Sequence, residues 1–315
     1  MSPNRVIVIT GPTATGKSAL GVKAAAELDG EIVSADSMQV YKCMDIGTAK
    51  PTCQEMCGIP HHLIDFVPPD EDYSVAQYIN NASKCIDDIF SRGKQPLLVG
   101  GTGLYIDSLL SGRSFSARGS KTLRSELEKE FDTIGGEAML HKLHEIDPES
   151  AANLHSNDKK RIVRAIEVYT TTGKTISAHD KETRELPPRY NSLKVALTFS
   201  DREELYRRID NRVDTMIKNG LEAEVLSLLE MGISRKNTSM QAIGYKELSE
   251  VLGNNAKKSD IDTAIDIIKM ESRRYAKRQL TWLRRDIDVN WITWDSVPDF
   301  DRGLNSLMGL LNETK

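Results

Sequence analysis

Eight residues near the start of the chain, Gly11-Pro12-Thr13-Ala14-Thr15-Gly16-Lys17-Ser18, follow the pattern G-x-x-x-x-G-K-[ST]. Its glycines allow the backbone to curl so that successive N–H groups point inward around an anion. Lys17 can reach a terminal phosphate, and the Ser18 hydroxyl is a hard oxygen ligand suited to Mg2+. The pattern needs a strand before it and a helix after it. Val6-Ile7-Val8-Ile9-Thr10 supplies the first and the run from Ser18 to Leu28 the second. The helix N-terminus then adds its partial positive charge at the same point. This chemistry is phosphate binding, and it leaves open whether the phosphate is transferred, cleaved or lost as a leaving group.

A second candidate follows the next strand-like run, Glu31–Asp36, which ends in Ser34-Ala35-Asp36-Ser37. In a parallel sheet the carboxyl ends of neighbouring strands share one crevice, so Asp36 is expected to face the bound phosphate. There it can act as a general base or hold a metal through water, or it can simply cap a turn. The third run, Pro96–Val99, ends in Gly100-Gly101-Thr102-Gly103, a hydroxyl between glycines that a ligand can approach closely. No acidic residue follows this apolar run, which argues against a motor ATPase and leaves a small-molecule kinase open. Cys53, Cys57 and His61 recur at four-residue spacing. Zinc would need a fourth ligand, His62 being the nearest, and no second cysteine pair follows, so the thiols are read as reduced and incidental.

The elements that must position these groups alternate between strand and helix patterns. Lys194–Phe199 and Asn290–Trp294 complete five expected strands, giving an α/β class with a parallel sheet. A helix is expected from about Tyr73 to Arg92. About ninety residues separate the third and fourth strands, far more than a crossover needs. They read as four helices, Lys121–Asp132, Gly136–Ile146, Pro148–Leu154 and Lys159–Tyr169. We therefore expect a core over 1–113, a helical insertion over 114–190, and the core completed over 191–315. Helices are expected at Arg202–Lys218, Leu221–Met231, Ala242–Leu252, Ile261–Arg284 and Asp299–Leu311.

The chain has 315 residues, 39% of them apolar, and a net charge of −4. That composition is ample for a buried core. No apolar run approaches membrane length, and the four cysteines with no leader-like segment before the first strand point to the cytoplasm. Nothing in the pattern requires more than a monomer. The negative balance alone argues against a nucleic-acid partner, yet the basic residues are clustered. Lys269, Arg273, Arg274, Lys277, Arg278, Arg284 and Arg285 are opposed only by Glu271 before Asp286. On a helix Arg273, Lys277 and Arg284 share one side. Lys159, Lys160, Arg161 and Arg164 form a second group. Such faces are often merely solvated, but two of them on an acidic protein point to an extended polyanion such as RNA.

Several longer stretches carry a resemblance that covers nearly the whole chain. They are the P-loop itself, Asp-Ser-Met-Gln-Val-Tyr (36–41), Met-Asp-Ile-Gly-Thr-Ala-Lys-Pro (44–51) and Pro-His-His-Leu-Ile-Asp (60–65). Leu-Val-Gly-Gly-Thr-Gly-Leu-Tyr (98–105), Asn157-Asp158 with Arg161, Ile243-Gly244-Tyr245 and Ala-Lys-Arg-Gln-Leu-Thr-Trp-Leu-Arg (276–284) follow. Together they resemble the tRNA dimethylallyltransferases, which attach an isopentenyl group to N6 of the adenosine 3′ of the anticodon. The resemblance implies a P-loop NTPase-like parallel sheet with an inserted all-helical, tRNA-binding subdomain. It implies that residues 11–18 hold the diphosphate of dimethylallyl diphosphate, with Mg2+ on Ser18, and that no phosphoryl group is transferred. Asp36 matches the family's general base, Thr102 the threonine at the reacting centre, and Arg212 an arginine beside the diphosphate. The tRNA anticodon stem-loop contacts map onto Asp36, Ser37, Met38 and Gln39, onto Arg124, and onto Lys160, Arg161 and Arg164. Further contacts map onto Gln241, Gly244, Tyr245 and Lys246, and onto Lys277, Arg278, Gln279, Trp282 and Arg284.

Three alternatives remain at this level. Enzymes that prenylate free adenine nucleotides share the P-loop and the Asp36 region but need neither the insertion nor the basic helix. A non-catalytic RNA-binding protein would not need Lys17, Ser18, Asp36 and Thr102 intact. A kinase would turn over ATP.

Overall fold

The structure is a computed structural model that describes residues 5–112, 121–184, 187–252 and 257–313. The expected boundary between residues 113 and 114 lies outside them. Six strands form one sheet, β1 (Arg5–Thr10), β2 (Gly30–Ser34), β3 (His61–His62), β4 (Gln95–Val99), β5 (Asn191–Phe199) and β6 (Val289–Trp294). Their order is β3-β2-β4-β1-β5-β6 and every pairing is parallel. A central parallel strand is covered on both faces, which is why Val6-Ile7-Val8-Ile9 reads as an unbroken apolar run and is fully buried.

The chain divides into two compact units, one of residues Met1–Leu110 with Tyr190–Lys315 and one of Ser111–Arg189. In the first unit the helices are α1 (Lys17–Glu27), α2 (Cys53–Met56), α3 (Val75–Ser91) and α4 (Gly103–Leu110). The second unit contains α5 (Lys121–Ile134), α6 (Gly136–Ile146), α7 (Pro148–Ala152), α8 (Lys159–Thr172) and α9 (Ile176–Arg184). The first unit resumes with α10 (Arg202–Lys218), α11 (Leu221–Glu230), a 3-10 turn (Ser239–Gln241), α12 (Tyr245–Leu252), α13 (Lys258–Leu283) and α14 (Phe300–Glu313).

One sheet face carries Ile7, Ile9, Leu97, Val195 and Leu197 under Leu20 and Ala24 of α1, Leu205 and Ile209 of α10, and Leu307 of α14. Burying these side chains stabilises the fold by about 1.5–3 kcal/mol each for the larger ones. On the other face α3 packs on β2 and β4, and the Tyr78 hydroxyl donates to the Ser34 carbonyl at 3.0 Å. A separate cluster joins Val40, Tyr41 and Met44 to Leu221, Val225, Tyr245, Leu248 and Ile268. It fixes the long loop after β2 against α11, α12 and α13. The second unit has its own core of Leu127, Met139, Leu143, Ile162, Val163 and Ile166.

Register sets up the site. Ile9 pairs with Val99 and Ser34 with Val99, so β1, β2 and β4 end level with one another. The loops that follow them therefore meet at one edge of the sheet.

Candidate active site

The P-loop is shaped by backbone that only certain residues adopt comfortably. Gly11 has φ of 140° and Gly16 has φ of 88°. A Cβ on Gly11 would lie 2.5 Å from the Leu197 carbonyl oxygen, so β5 excludes any side chain there. Ala14, with φ of 66°, occupies the left-handed region without being glycine, a cost of about 1–2 kcal/mol that the surrounding loop sustains. Inside the loop, Thr15 Oγ1 donates to the Pro12 carbonyl at 2.8 Å, and Trp294 Nε1 donates to the Thr15 carbonyl at 3.0 Å. Lys17 Nζ curls back to the same Pro12 carbonyl at 2.8 Å. Ser18 stands exposed at the start of α1.

Beside the loop lies a cavity of about 430 Å³ lined by Ala14, Gly16, Arg207, Arg208, Asn211, Arg212 and Thr215. Arg208 Nε reaches the Ala14 carbonyl at 3.4 Å, tying α10 to the P-loop. Arg207 is held by Glu204, with Nε–Oε2 at 3.0 Å. Burial pushes Lys17 down to about 7, helped by the Arg212 charge and opposed by Asp36. Arg212 is likewise lowered by burial and supported by the carboxylates of Asp36 and Glu55. Cations concentrated in a desolvated hollow next to inward amides make a strong receptor for a multiply charged anion.

Asp36 sits where β2 hands over to its loop. Its Oδ1 accepts from the Met38 N–H at 2.9 Å and the Gln39 N–H at 3.3 Å, an Asx-type turn. Among the described residues Oδ2 accepts no hydrogen bond, so one oxygen fixes the turn and the other is left uncommitted by it. Thr102 meets the same turn from β4, its Oγ1 accepting from the Ser37 N–H at 3.1 Å. Tyr275 of α13 lies beside Thr102 and is raised to about 12, by burial first and then by Asp36. Asp36 thus acts electrostatically on Lys17, Arg212 and Tyr275 at once, and the three catalytic candidates converge with the P-loop. Tyr275 carries no motif in the sequence and was not anticipated; only its four-residue spacing from Gln279 hinted at an inward face.

Glu224 is a second unanticipated residue. Its carboxylate accepts from the backbone N–H groups of Asp45 and Ile46 at 2.8 Å and of Gly47 at 3.2 Å, and from the Tyr245 hydroxyl. Three consecutive amides on one carboxylate tie the Asp45-Ile46-Gly47 stretch to α11.

The residues anticipated as RNA contacts divide by exposure. Lys160, Arg161, Gln241, Lys246, Lys277, Arg278 and Arg284 are exposed. Arg124 and Arg164 instead close on the fully buried Glu167, at 2.7 and 2.9 Å. Tyr245 is fully buried, with its hydroxyl on Gly47 N–H and Glu224, and Gly244 is also buried. Gln39 donates to the carbonyls of Thr48 and Ala49. Ser37 and Met38 are half-buried. Gln279 is only 6% exposed, and Trp282 Nε1 donates to Asp107 at 2.6 Å. Two cations of the basic stretch are neutralised by the neighbouring helix, for Lys269 pairs with Asp214 and Arg273 with Asp210 of α10. The side shared by Arg273, Lys277 and Arg284 in a bare helix is therefore split by packing. His62 Nε2 lies 2.8 Å from Glu31, and among the described residues no group of His, Cys, Asp or Glu is arranged to hold a metal.

The chain matches the family model described as IPP transferase over residues 39–286, and that described as isopentenyl transferase over residues 4–66. The chain belongs to the IPP transferase family. A tRNA dimethylallyltransferase of Thermoanaerobacter sp. (strain X514) is 48% identical over 299 residues, covering 94% of each chain. One from Acetivibrio thermocellus is 48% identical over 305 residues, covering 96% of each. Among solved structures, the full-length tRNA isopentenylpyrophosphate transferase of Bacillus halodurans is similar with a TM-score of 0.73 and 41% identity, covering 98% of this chain and 96% of that one. A eukaryotic dimethylallyltransferase acting on tRNA aligns with a TM-score of 0.82 and 32% identity, covering 97% of this chain and 77% of that one. These family members share the P-loop NTPase-like sheet described above. No helix among the described residues is long and apolar enough to cross a membrane.

Proposed function

We propose that the chain transfers a dimethylallyl group from dimethylallyl diphosphate to N6 of the adenosine 3′ of the anticodon in tRNA. The observation that carries this reading is the convergence of an anion-binding loop with Asp36 and Thr102. Such a site can bind a leaving diphosphate and accept a proton a short distance away. Membership of the IPP transferase family supports it.

In this reading the P-loop amides, Lys17 and Arg212 hold the diphosphate. N6 attacks C1 of the allylic chain, the C1–O bond breaks, and its electron pair leaves on the bridging oxygen. Lys17 and Arg212 stabilise that developing negative charge, a contribution of about 3–4 kcal/mol for one well-placed donor. The proton released from N6 passes to Asp36. An exocyclic adenine amine is a weak nucleophile because its lone pair is delocalised, so proton removal during bond formation lowers the barrier. Thr102, held against the Ser37 turn, positions the amine and the bridging oxygen. The target base must leave its stack to enter, at a cost of about a few kcal/mol met by contacts to the flanking RNA. Exposed Lys160, Arg161, Lys246, Lys277, Arg278 and Arg284 supply such contacts to phosphates.

A divalent cation fits the donor set. The Ser18 hydroxyl is exposed at the head of α1 and makes no hydrogen bond among the described residues. It would hold Mg2+ together with diphosphate oxygens, and the ion would add positive charge to the leaving group. The protein would work as a cytoplasmic monomer on the anticodon stem-loop.

Labelled dimethylallyl diphosphate incubated with the protein, Mg2+ and either unmodified tRNA or AMP tests the reading. Label in tRNA, lost in Thr102→Ala, supports it. Label in AMP alone would replace it with prenylation of free nucleotides, and ATP consumption without prenyl transfer would replace it with a kinase.

A further inference from the structure

Helix α13 turns Tyr275, Gln279 and Trp282 inward, at i, i+4 and i+7. Each ends on the loop or helix that follows β1 or β4, beside the candidate site. Tyr275 lies beside Thr102, and Trp282 donates to Asp107. Gln279 does something different, because its single carboxamide spans two loops. Oε1 accepts from the Thr13 N–H inside the P-loop at 3.0 Å, while Nε2 donates to the Gly101 carbonyl at 2.9 Å. Gly101 immediately precedes Thr102. A Cβ on Gly101 would lie 2.3 Å from Nε2, so the fit leaves no room for another residue.

The carboxamide is planar, with donor and acceptor on fixed sides, so it sets the spacing between the diphosphate loop and the Thr102 loop. It also occupies one P-loop amide and thereby determines which of the others face an anion. On the same helix Lys277 and Arg284 lie nearly opposite Gln279 and Arg278 about a quarter-turn round, and all three are exposed. A helix is stiff over this span, so a shift imposed on its basic face is carried to Gln279.

We propose that Gln279 is a positioning residue that couples RNA on the basic face of α13 to the shape of the P-loop, so that RNA and diphosphate bind with mutual reinforcement. The inference rests on the function proposed above. Linkage makes the effect reciprocal: whatever RNA adds to diphosphate affinity, diphosphate adds to RNA affinity.

The test measures calorimetric binding of inorganic pyrophosphate with Mg2+ to the full chain, with and without a saturating unmodified anticodon stem-loop RNA. The wild-type chain is compared with Gln279→Leu, Gln279→Glu and Trp282→Phe. Glutamate keeps the acceptor for Thr13 but sets oxygen against the Gly101 carbonyl, and Trp282→Phe removes a bond of the same helix face that does not touch the P-loop. RNA is expected to tighten pyrophosphate binding about fivefold or more in the wild-type chain and in Trp282→Phe. In Gln279→Leu this gain, read with each variant saturated by RNA, should fall within about twofold of none, and Gln279→Glu should lose most of it. Equal gains in all four chains, or no gain in the wild type, would overturn the coupling. Should Gln279→Leu fail to fold by its melting curve, an undiminished gain in Gln279→Glu alone overturns it. Transfer of label to tRNA by the wild-type chain separates the two claims. If transfer occurs and the gain is insensitive to Gln279, only the coupling falls; if no transfer occurs, the proposed function falls with it.

Discussion

The P-loop hollow and the outer face of α13 are both rich in cations, but they hold them under opposite conditions. In the hollow Lys17 and Arg212 are shifted by burial first and then by one another's charge or that of Asp36. On the outer side of α13 and at its end, Lys277, Arg278 and Arg284 are exposed to water and make no ion pair among the described residues. There an interaction is screened within about 8 Å at physiological salt. Low dielectric makes a few buried charges suitable for acting on one breaking bond. Many screened charges are suited to gathering a polyanion, where the released counterions supply the free energy.

Replacing Asp36 by asparagine should produce the largest effect. Asparagine keeps an oxygen for the Met38 and Gln39 amides but cannot take a proton, so kcat should fall about a thousandfold with RNA affinity nearly unchanged. Rapid-quench kinetics beside RNA titrations would check this, and equal losses in both would erase the distinction between the two regions.

Lys17 gives a sharper test through protons. Its value near 7 means that at pH 8 the unliganded lysine is mostly neutral, and an incoming diphosphate restores its charge. Pyrophosphate binding at pH 8 should therefore take up close to one proton, seen by calorimetry in buffers of different ionisation enthalpy. The uptake should vanish below pH 6, where the lysine is already charged, and in Lys17→Met at any pH. The same depression has a consequence for stability. The folded chain binds fewer protons than the unfolded one between about 7 and the ordinary lysine value of 10.5, so the cost of burying the charge is full below 7 and fades as pH rises. Without ligand, Lys17→Met should melt above wild type at pH 6, and the gap should close towards pH 10.

Lys277→Gln with Arg284→Gln should weaken RNA binding about tenfold at low salt and flatten the slope of log K against log salt by about 1.4. An unchanged slope would remove α13 from the RNA surface. The smallest effect belongs to Arg273→Gln on the same helix. Its partner Asp210 already neutralises it, so the salt slope should not change and stability should fall by about 1 kcal/mol or less.

Much of this architecture was legible because local pattern and tertiary demand agree. β1 and β4 carry unbroken aliphatic runs, β5 and β6 are rich in aliphatic and aromatic residues, and α6 and α10 were bounded at the residues observed. The elements missed are those that local pattern specifies weakly. β3 is two residues long and exists through its pairing with β2, while α2 is a single capped turn. α4 starts among glycines that read as a loop, and α9 is polar enough to read as one. Tyr275 and Glu224 escaped notice because nothing local marks them. Tyr275 is significant only because α13 is laid against Thr102, and Glu224 only because three amides converge on it.

By itself the sequence determined the phosphate loop, the alternation of strand and helix and the residue types at the site, since these depend on backbone conformation and on periodicity along the chain. Tertiary structure alone decided which cations are available. Lys269 and Arg273 are neutralised across a helix contact, Arg124 and Arg164 are turned onto a buried glutamate, and Gln279 is drawn inside as a brace. The physical reason is that a side chain's charge and hydrogen-bonding capacity are committed by neighbours far away in sequence. Gln279 meets Thr13 across 266 residues and Gly101 across 178, separations that no local pattern records.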